Sequence, residues 1–403
     1  MSNTRISKKQ PPHKGFPIIE SAFKIKILKI WKLPGGYNEV YKLSTNKGLR
    51  VLKISEKLKK AEHTLFEHNF LRTLKEHGFT IVAEPLSIID NRDLDGIVGE
   101  TIAIKDGRIH SFFKYLEGEL FNESAEHLSA AGQNLAKYHQ VSSSILAERF
   151  AKKQTDYLSI RSEWGDLVMR YPPLSQEKIE RLDLKENDPW STHVKAIYKP
   201  KIYRTPSAFY SKALQTQESF VDNFVIECTE FVNRKIEEIR SSLFKMGFRC
   251  NETKEGLLYY FPLPKTIVHA DYAPQNVKFK SNAVNAMFDF DNANARERIY
   301  DIAWALATFC VNKNQSLNFS KIELFLNGYQ DISKLSIGEV NVIPHEIYTR
   351  CIETMYWAVQ KYYSGKPYRL DYALKDYELI KWLYMNEEKL INFVIKKMIK
   401  GES

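Results

Sequence analysis

Residues 269–276 read HADYAPQN, and residues 289–291 read DFD. Each stretch follows a short apolar run, and such runs bounded by polar turns predict buried strands whose ends carry the polar side chains. Asp271, Asn276 and Asp289 therefore provide a carboxylate, a carboxamide and a second carboxylate, in that chain order, at strand ends.

These three groups match what phosphoryl transfer from ATP requires of a protein. One carboxylate orients the attacking hydroxyl and accepts its proton, while a carboxamide and a second carboxylate hold Mg2+ against the phosphates. Solvated acids on an ordinary strand–loop–strand would explain any one group, but they would not explain the ordered triple. We interpret Asp271 as the base, and Asn276 and Asp289 as ligands of the metal.

The same segment resembles the aminoglycoside phosphotransferase and choline kinase superfamily, which includes homoserine kinases with a protein-kinase-like fold. That family shows His-x-Asp-x4-Asn, then Ile-Asp-Phe/Trp-Asp/Glu, then Tyr-Asp-Ile/Leu-Ala, and residues 300–303 here read YDIA. Two positions depart from the known patterns. Ala270 replaces the arginine of the usual kinase catalytic loop, and residues 294–298 read NARER where the family usually has Gly-Asp-Pro.

The resemblance also implies roles for three side chains around the triple. His269 would brace the loop through hydrogen bonds. Asp301, at a helix start, would accept loop amides, a role compatible with that of a plain N-cap. Asp291 would assist the binding of the metal or of the acceptor.

Apolar segments at 25–30, 40–43 and 49–54 alternate with turns and predict a three-stranded meander near the N-terminus. The first turn contains Gly35, Gly36 and Asn38. A glycine-containing loop can cover phosphates because backbone amides approach an anion closely where no Cβ intervenes. The motif differs from GxGxxG, so it indicates a phosphate loop only together with the residues that follow it.

Lys53 ends the third strand and resembles the family lysine that contacts the α- and β-phosphates. The structural alternative is a strand-edge lysine in a Lys-rich chain. A helix is predicted at 61–77, and its EHNFL segment resembles the family's Glu-x-x-Phe-Leu pattern. The resemblance implies that Glu67 pairs with Lys53, with Glu62, about one and a half turns earlier, as the rival candidate.

Residues 110–118 resemble the family's hinge, where backbone groups pair with adenine, here those of Lys114, Tyr115 and Leu116. Further strands are predicted at 83–86 and 100–104. Further helices are predicted at 129–140, 217–246, 302–312, 320–330, 345–364 and 374–398.

The resemblance thus implies an α+β, two-lobed protein-kinase-like fold. We expect a flexible basic tail at 1–20, an N-lobe at 21–114 with a small antiparallel sheet, and a mostly helical C-lobe at 115–403. Residues from about 150 to 215 fit the family poorly and are interpreted as an insertion, which either frames the acceptor site or is structural padding.

Composition narrows the function classes. With 43% hydrophobic residues in 403, the chain is globular, and its net charge of +10 comes with no nucleic-acid-binding motif, which favours a solvated basic face. No apolar run has the length of a membrane span, and the N-terminus lacks a secretory signal. The four widely spaced cysteines indicate neither a zinc site nor a disulfide framework, so we expect a cytoplasmic protein without nucleic-acid or membrane partners.

We therefore expect a kinase that uses ATP and Mg2+ to phosphorylate a hydroxyl of a small molecule. An amino alcohol, a sugar, a homoserine-like compound and an antibiotic all remain open as acceptors, although a basic chain disfavours a polycation. Arg350 lies on a predicted helix whose Trp/Tyr face is either core or part of an acceptor site. The alternatives are a protein Ser/Thr kinase of the same superfamily and a non-catalytic structural protein of the same fold.

Overall fold

The computed structural model describes residues 16–33, 38–55, 61–151, 201–203, 211, 213, 220–245, 250–253, 256–259, 263–363 and 370–400. Gly35 and Gly36 of the predicted phosphate loop lie outside the described residues, as do positions 1–15 of the predicted tail and nearly all of the predicted insertion. The described chain forms two compact units. The first comprises the residues up to Leu120 together with Asn276–Ala293, and the second comprises the others.

The elements are numbered in chain order. The strands are β1 (Ile27–Leu33), β2 (Glu39–Thr45), β3 (Gly48–Ile54), β4 (Gly96–Val98), β5 (Ile102–Lys105), β6 (Arg108–Lys114), β7 (Lys201–Tyr203), β8 (Cys250–Thr253), β9 (Gly256–Tyr259), β10 (Lys265–Val268), β11 (Val277–Lys280), β12 (Ala283–Met287) and β13 (Asn294–Glu297). The helices are α1 (Phe16–Phe23), α2 (Ala61–Glu76), α3 (Ala125–Ala151), α4 (Phe220–Lys245), α5 (Ile299–Phe309), α6 (Phe319–Gln330), α7 (Ile337–Tyr363) and α8 (Leu370–Lys400).

An antiparallel sheet of six strands, in the order β1-β2-β3-β6-β5-β4, forms the centre of the first unit. The predicted meander corresponds to β1, β2 and β3. The strand predicted at 83–86 is wrong, because only a single bridge joins Pro85 to Phe113 there. Proline has no N–H to donate to a ladder, which limits pairing at this position.

Helix α1 corrects the prediction of a flexible tail for residues 16–20. Phe16, Ile19 and Phe23 are buried and belong to a core cluster with Leu52 and Phe112 of the sheet. These apolar residues follow helical spacing, and Pro17 does not break the helix because a proline in the first turn removes no intrahelical hydrogen bond.

Helix α2 packs beside the acidic segment that follows β12. Its Phe70 ring meets the Phe290 ring at 6.1 Å between centroids. The helix ends at Glu76, and a left-handed Gly78 follows it, with the N–H of Phe79 bonded to the carbonyl of Leu74 at 2.8 Å.

The β11–β12 hairpin also belongs to the first unit, whereas the sequence prediction had kept residues 115–403 together. Phe279 and Glu119 exchange two backbone hydrogen bonds, and the N–H of Met287 donates to the carbonyl of Ile81. Because Val277 pairs with Met287, the hairpin brings the residue before β11 and the residues after β12 to the same end.

Helices dominate the described part of the second unit, with two small sheets, β7-β9-β8 and β10-β13. Helices α3 and α6 cross at Gly132 and Gly328. A Cβ at Gly132 would lie 2.0 Å from the Phe325 carbonyl oxygen, and one at Gly328 would lie 2.1 Å from the Ser129 carbonyl oxygen. Only glycine at both positions permits this backbone approach.

Helix α7 begins earlier than predicted. Pro344 lies inside it, and the sequence interpretation had started the helix just after that residue. No helix in the described part of the chain combines the length and the apolar character needed to cross a membrane.

Candidate active site

Lys53, at the end of β3, lies among three carboxylates of the first unit. Its Nζ is 2.6 Å from Asp291 Oδ1, 3.1 Å from Glu67 Oε1 and 3.5 Å from Asp289 Oδ1. Burial alone would lower the pKa of Lys53, but attraction to Asp291, Glu67 and Asp289 outweighs it and raises the pKa well above its usual value. Lys53 is therefore a fixed cation, and the structure gives it Glu67 as its helix partner. The side chain of Glu62 lies outside the described residues.

The acidic segment after β12 presents its two carboxylates differently. Asp289 has a left-handed backbone, with φ 71° and ψ 58°, a conformation that Asp adopts more readily than most residues. Its side chain is 45% exposed. Asp291 is more enclosed, and its Oδ2 accepts a hydrogen bond from Asn38 Nδ2 at 2.6 Å. Asn38, predicted in the phosphate loop, therefore lies beside the acids.

Asn276 lies at the end of a short 3-10 helix, Pro274–Asn276, and is buried. Its carbonyl accepts the N–H of Phe288 at 3.1 Å, which places Asn276 at the same end of the hairpin as Asp289. The side chains of Asn276 and Asp289 offer amide and carboxylate oxygens, which are the metal ligands that Mg2+ prefers. The described residues contain no group of three or more His, Cys, Asp or Glu suited to a metal.

In the second unit, Asp301 holds the loop that follows β10. Its two carboxylate oxygens accept the backbone N–H groups of His269 and Ala270, each at 2.7 Å, and its side chain is fully buried. Ala270 has a φ of 61°, a left-handed conformation that costs an alanine about 1–2 kcal/mol. The paired hydrogen bonds offset that strain. Asp301 lies in the first turn of α5, whose N-cap residue is Arg298.

Two histidines complete this support. The Nδ1 of buried His269 accepts the N–H of Asp271 at 3.2 Å. His139 of α3 contacts Asp301 Oδ2 through Nε2 at 3.2 Å and the Tyr329 hydroxyl through Nδ1 at 2.9 Å. Burial lowers the pKa of His139, although Asp301 opposes the shift. The structure thus places His139 on the carboxylate that holds the loop.

The carboxylate of Asp271 meets two donors within the second unit. Its Oδ1 accepts the indole N–H of Trp304 at 3.2 Å and lies 3.5 Å from Arg350 Nη2. The guanidinium of Arg350 stacks 4.6 Å from the centre of the Trp304 ring. The sequence analysis did not select Trp304, and it left open whether the helix of Arg350 is core or part of an acceptor site. Trp304 follows Asp301 by three positions on one helix, a usable signal, whereas Arg350 is 79 residues from Asp271.

The predicted hinge residues contact other parts of the first unit. The N–H groups of Lys114 and Tyr115 donate to the carbonyls of Glu84 and Leu49, and the carbonyl of Leu116 accepts the Lys278 ammonium at 3.1 Å. These three groups have partners within the protein. The pairing of this segment with adenine stays a prediction.

The model of the phosphotransferase enzyme family (APH) matches residues 30–195 and 232–331, which is more than half of the chain. The matched residues include 150–195 of the expected insertion, and the unmatched residues 196–231 include the remainder. The insertion at about 150–215 stays a prediction.

Homoserine kinases are among the similar proteins. That of Rhizobium meliloti (strain 1021) is 24% identical over 77% of this chain and 72% of its own length. That of Sinorhizobium fredii (strain NBRC 101917 / NGR234) is 38% identical, but the match spans only 20% of this chain and 25% of that protein.

Among solved structures, an amicoumacin kinase, hAmiN, in complex with AMP-PNP, Ca2+ and Ami has a TM-score of 0.50. It is 16% identical, with 93% of this chain and 92% of that chain covered. This likeness confirms the predicted fold class. The family match confirms the predicted superfamily, and the chain belongs to the phosphotransferase enzyme family.

Proposed function

We propose that the protein uses ATP and Mg2+ to transfer the γ-phosphate to a hydroxyl of a small molecule. The observation that carries this proposal is the cluster of Lys53 with Glu67, Asp289 and Asp291. A non-catalytic protein of the same fold has no need of a buried cation that faces two acids of a metal-binding pattern. Family membership supports the same reaction class.

On the nucleotide side, each residue has a distinct task. Lys53, oriented by Glu67, would bind the α- and β-phosphates. Asn276 and Asp289 would hold Mg2+, which when bound neutralises charge on the phosphate oxygens. Asp291 fixes both Lys53 and Asn38, and it thereby keeps the lysine in place before the nucleotide binds.

On the acceptor side, Asp271 orients the hydroxyl and takes its proton. Phosphoryl transfer has a loose transition state, so the proton moves late and positioning matters more than basicity. The loop-holding contacts of Asp301, and the N–H of Trp304 on Asp271, supply that positioning.

For the acceptor, we propose a hydroxylated amino acid, with homoserine as the first compound to test. The similarity to homoserine kinases supports this choice, as does the position of Arg350 beside Asp271. A cytoplasmic location, where ATP is available, is part of the proposal.

The test is a turnover assay of the purified protein with MgATP and a panel of homoserine, choline, ethanolamine, sugars and aminoglycosides. ADP release and the mass of the phosphorylated product are both measured, with Asp271→Asn as the inactive control. We expect a phosphorylated product from one acceptor class. Failure of the protein to bind MgATP, or equal turnover by the control, would contradict the proposed function.

A further inference from the structure

Arg350 places a cation against the candidate base from a helix outside the ranges that match the family model. Its Nη2 lies 3.5 Å from Asp271 Oδ1, and its Nη1 lies 3.6 Å from Glu353 Oε2. The side chains of Arg350 and Asp271 remain 19% and 21% exposed, so a small ligand can reach both. The base and the cation therefore form one accessible surface.

The guanidinium is held in place, but its hydrogen-bonding capacity is poorly used. Both ion pairs are at or beyond the outer limit of a hydrogen bond, whereas a bidentate carboxylate lies about 2.7–2.9 Å from its two donors. The Nε of Arg350 is buried without a hydrogen-bond partner among the described residues. Stacking on Trp304 fixes the plane of the guanidinium, and the long ion pairs leave Nη1 and Nη2 able to form a shorter contact with another group.

We propose that Arg350 determines acceptor specificity by binding a carboxylate of the acceptor. The inference rests on the proposed function and names the chemical class of its acceptor, a hydroxy acid or hydroxylated amino acid. A neutral alcohol offers the guanidinium no anion that could replace those of Asp271 and Glu353.

Binding of the acceptor carboxylate also changes the state of Asp271. In the acceptor-free protein, the guanidinium attracts the Asp271 carboxylate. An acceptor anion that pairs with Arg350 weakens this attraction, and Asp271 turns to the acceptor hydroxyl. The hydroxyl oxygen then bonds to the γ-phosphorus, the bond from that phosphorus to the β–γ bridging oxygen breaks, ADP leaves with the electron pair, and the proton passes to Asp271.

A purely structural role for Arg350 predicts a different result. If the arginine only tethered Asp271 and Trp304, its loss would impair every acceptor alike. The ratio of kcat/KM for two matched acceptors separates the two roles, and this ratio does not depend on the fraction of variant that folds.

The experiment compares L-homoserine with L-homoserinamide, which keeps the hydroxyl and the amine but lacks the carboxylate, at saturating MgATP. For Arg350→Met we expect kcat/KM to fall about 100-fold with homoserine, the loss typical of a charged hydrogen-bonded pair, and less than about threefold with the amide. Arg350→Lys should recover part of the preference. Lys375→Met, which removes an exposed cation from α8, is the matched control and should leave the ratio unchanged.

Equal losses on both acceptors would overturn the inference while leaving the proposed function intact. A wild-type preference for the amide would overturn it as well. If the wild-type protein phosphorylates neither compound nor any member of the wider panel, the proposed function fails and the inference falls with it.

Discussion

The carboxylates of the two units differ in how they are held. Asp301 in the second unit is fully buried, and its two oxygens accept backbone N–H groups at 2.7 Å. Asp289 in the first unit is 45% exposed, and its ion pair with Lys53 spans 3.5 Å. Hydrogen bonds from fixed backbone amides give a carboxylate a structural role, whereas a long ion pair at an exposed position leaves a carboxylate able to bind a ligand. Geometry thus distinguishes a carboxylate that holds a loop from one that can accept a new partner.

The largest expected effect follows from changing Asp271, whose carboxylate accepts a hydrogen bond from Trp304 and forms a long ion pair with Arg350. Asp271→Asn should lower kcat about 1,000-fold, because the amide cannot accept the hydroxyl proton. MgATP affinity, measured by calorimetry, should stay within about twofold, an amount on the order of RT ln 2. The matched control is Asp371→Asn on the exposed start of α8. Normal turnover by Asp271→Asn would remove this residue from the mechanism.

Asp289→Asn tests the exposed carboxylate of the first unit. Asparagine tolerates the left-handed backbone, so the change removes a charged oxygen ligand without new strain. We expect MgATP affinity to fall roughly 100-fold, about 2.7 kcal/mol, by calorimetry. The exposed Asp93 offers a control, Asp93→Asn, in the same unit. An affinity unchanged within twofold would mean that Asp289 is not a metal ligand.

Asp301→Asn tests the buried carboxylate of the second unit. The amide retains one oxygen acceptor and turns an N–H2 group toward the other backbone N–H, which leaves a buried donor unsatisfied. We expect the free energy of unfolding, measured with urea, to fall by about 2 kcal/mol. An unchanged unfolding midpoint would show that the loop does not depend on this carboxylate, and the contrast between the two acids would fail.

The smallest effect concerns His345 of α7, which is buried. Burial lowers the pKa of its imidazole from 6.5 to about 4; Glu387 opposes this shift and Lys235 reinforces it. Between pH 6.5 and about 4 the unfolded chain binds a proton at His345 and the folded protein does not. The free energy of unfolding is therefore highest above pH 6.5 and falls as the pH is lowered toward 4. Urea unfolding at pH 5.5 and 7.5 should show His345→Gln losing about 1 kcal/mol less than the wild type on acidification. Identical losses would exclude His345 as a source of the pH dependence.

The family resemblance implied the Lys53–Glu67 pair, which the structure contains, and local patterns predicted most of the helices. Each of those depends on short-range spacing or on a motif of a few residues. The tail predicted to residue 20 and the helix predicted from 345 differ from the structure, in which Pro17 lies in the first turn of α1 and Pro344 lies inside α7. The contact between Asp271 and Arg350 could not be predicted, since it depends on how α7 packs and no local pattern encodes it.

The crossing of α3 and α6 has a mechanical consequence. Gly132 and Gly328 set the distance between the two helix axes, and the same helices carry His139 and Tyr329, which are bonded to each other. His139 in turn touches the carboxylate that shapes the catalytic loop. One added methyl group at either glycine would push the two helices apart and displace His139 relative to Asp301. A residue far from any ligand would in this way change the position of the catalytic loop.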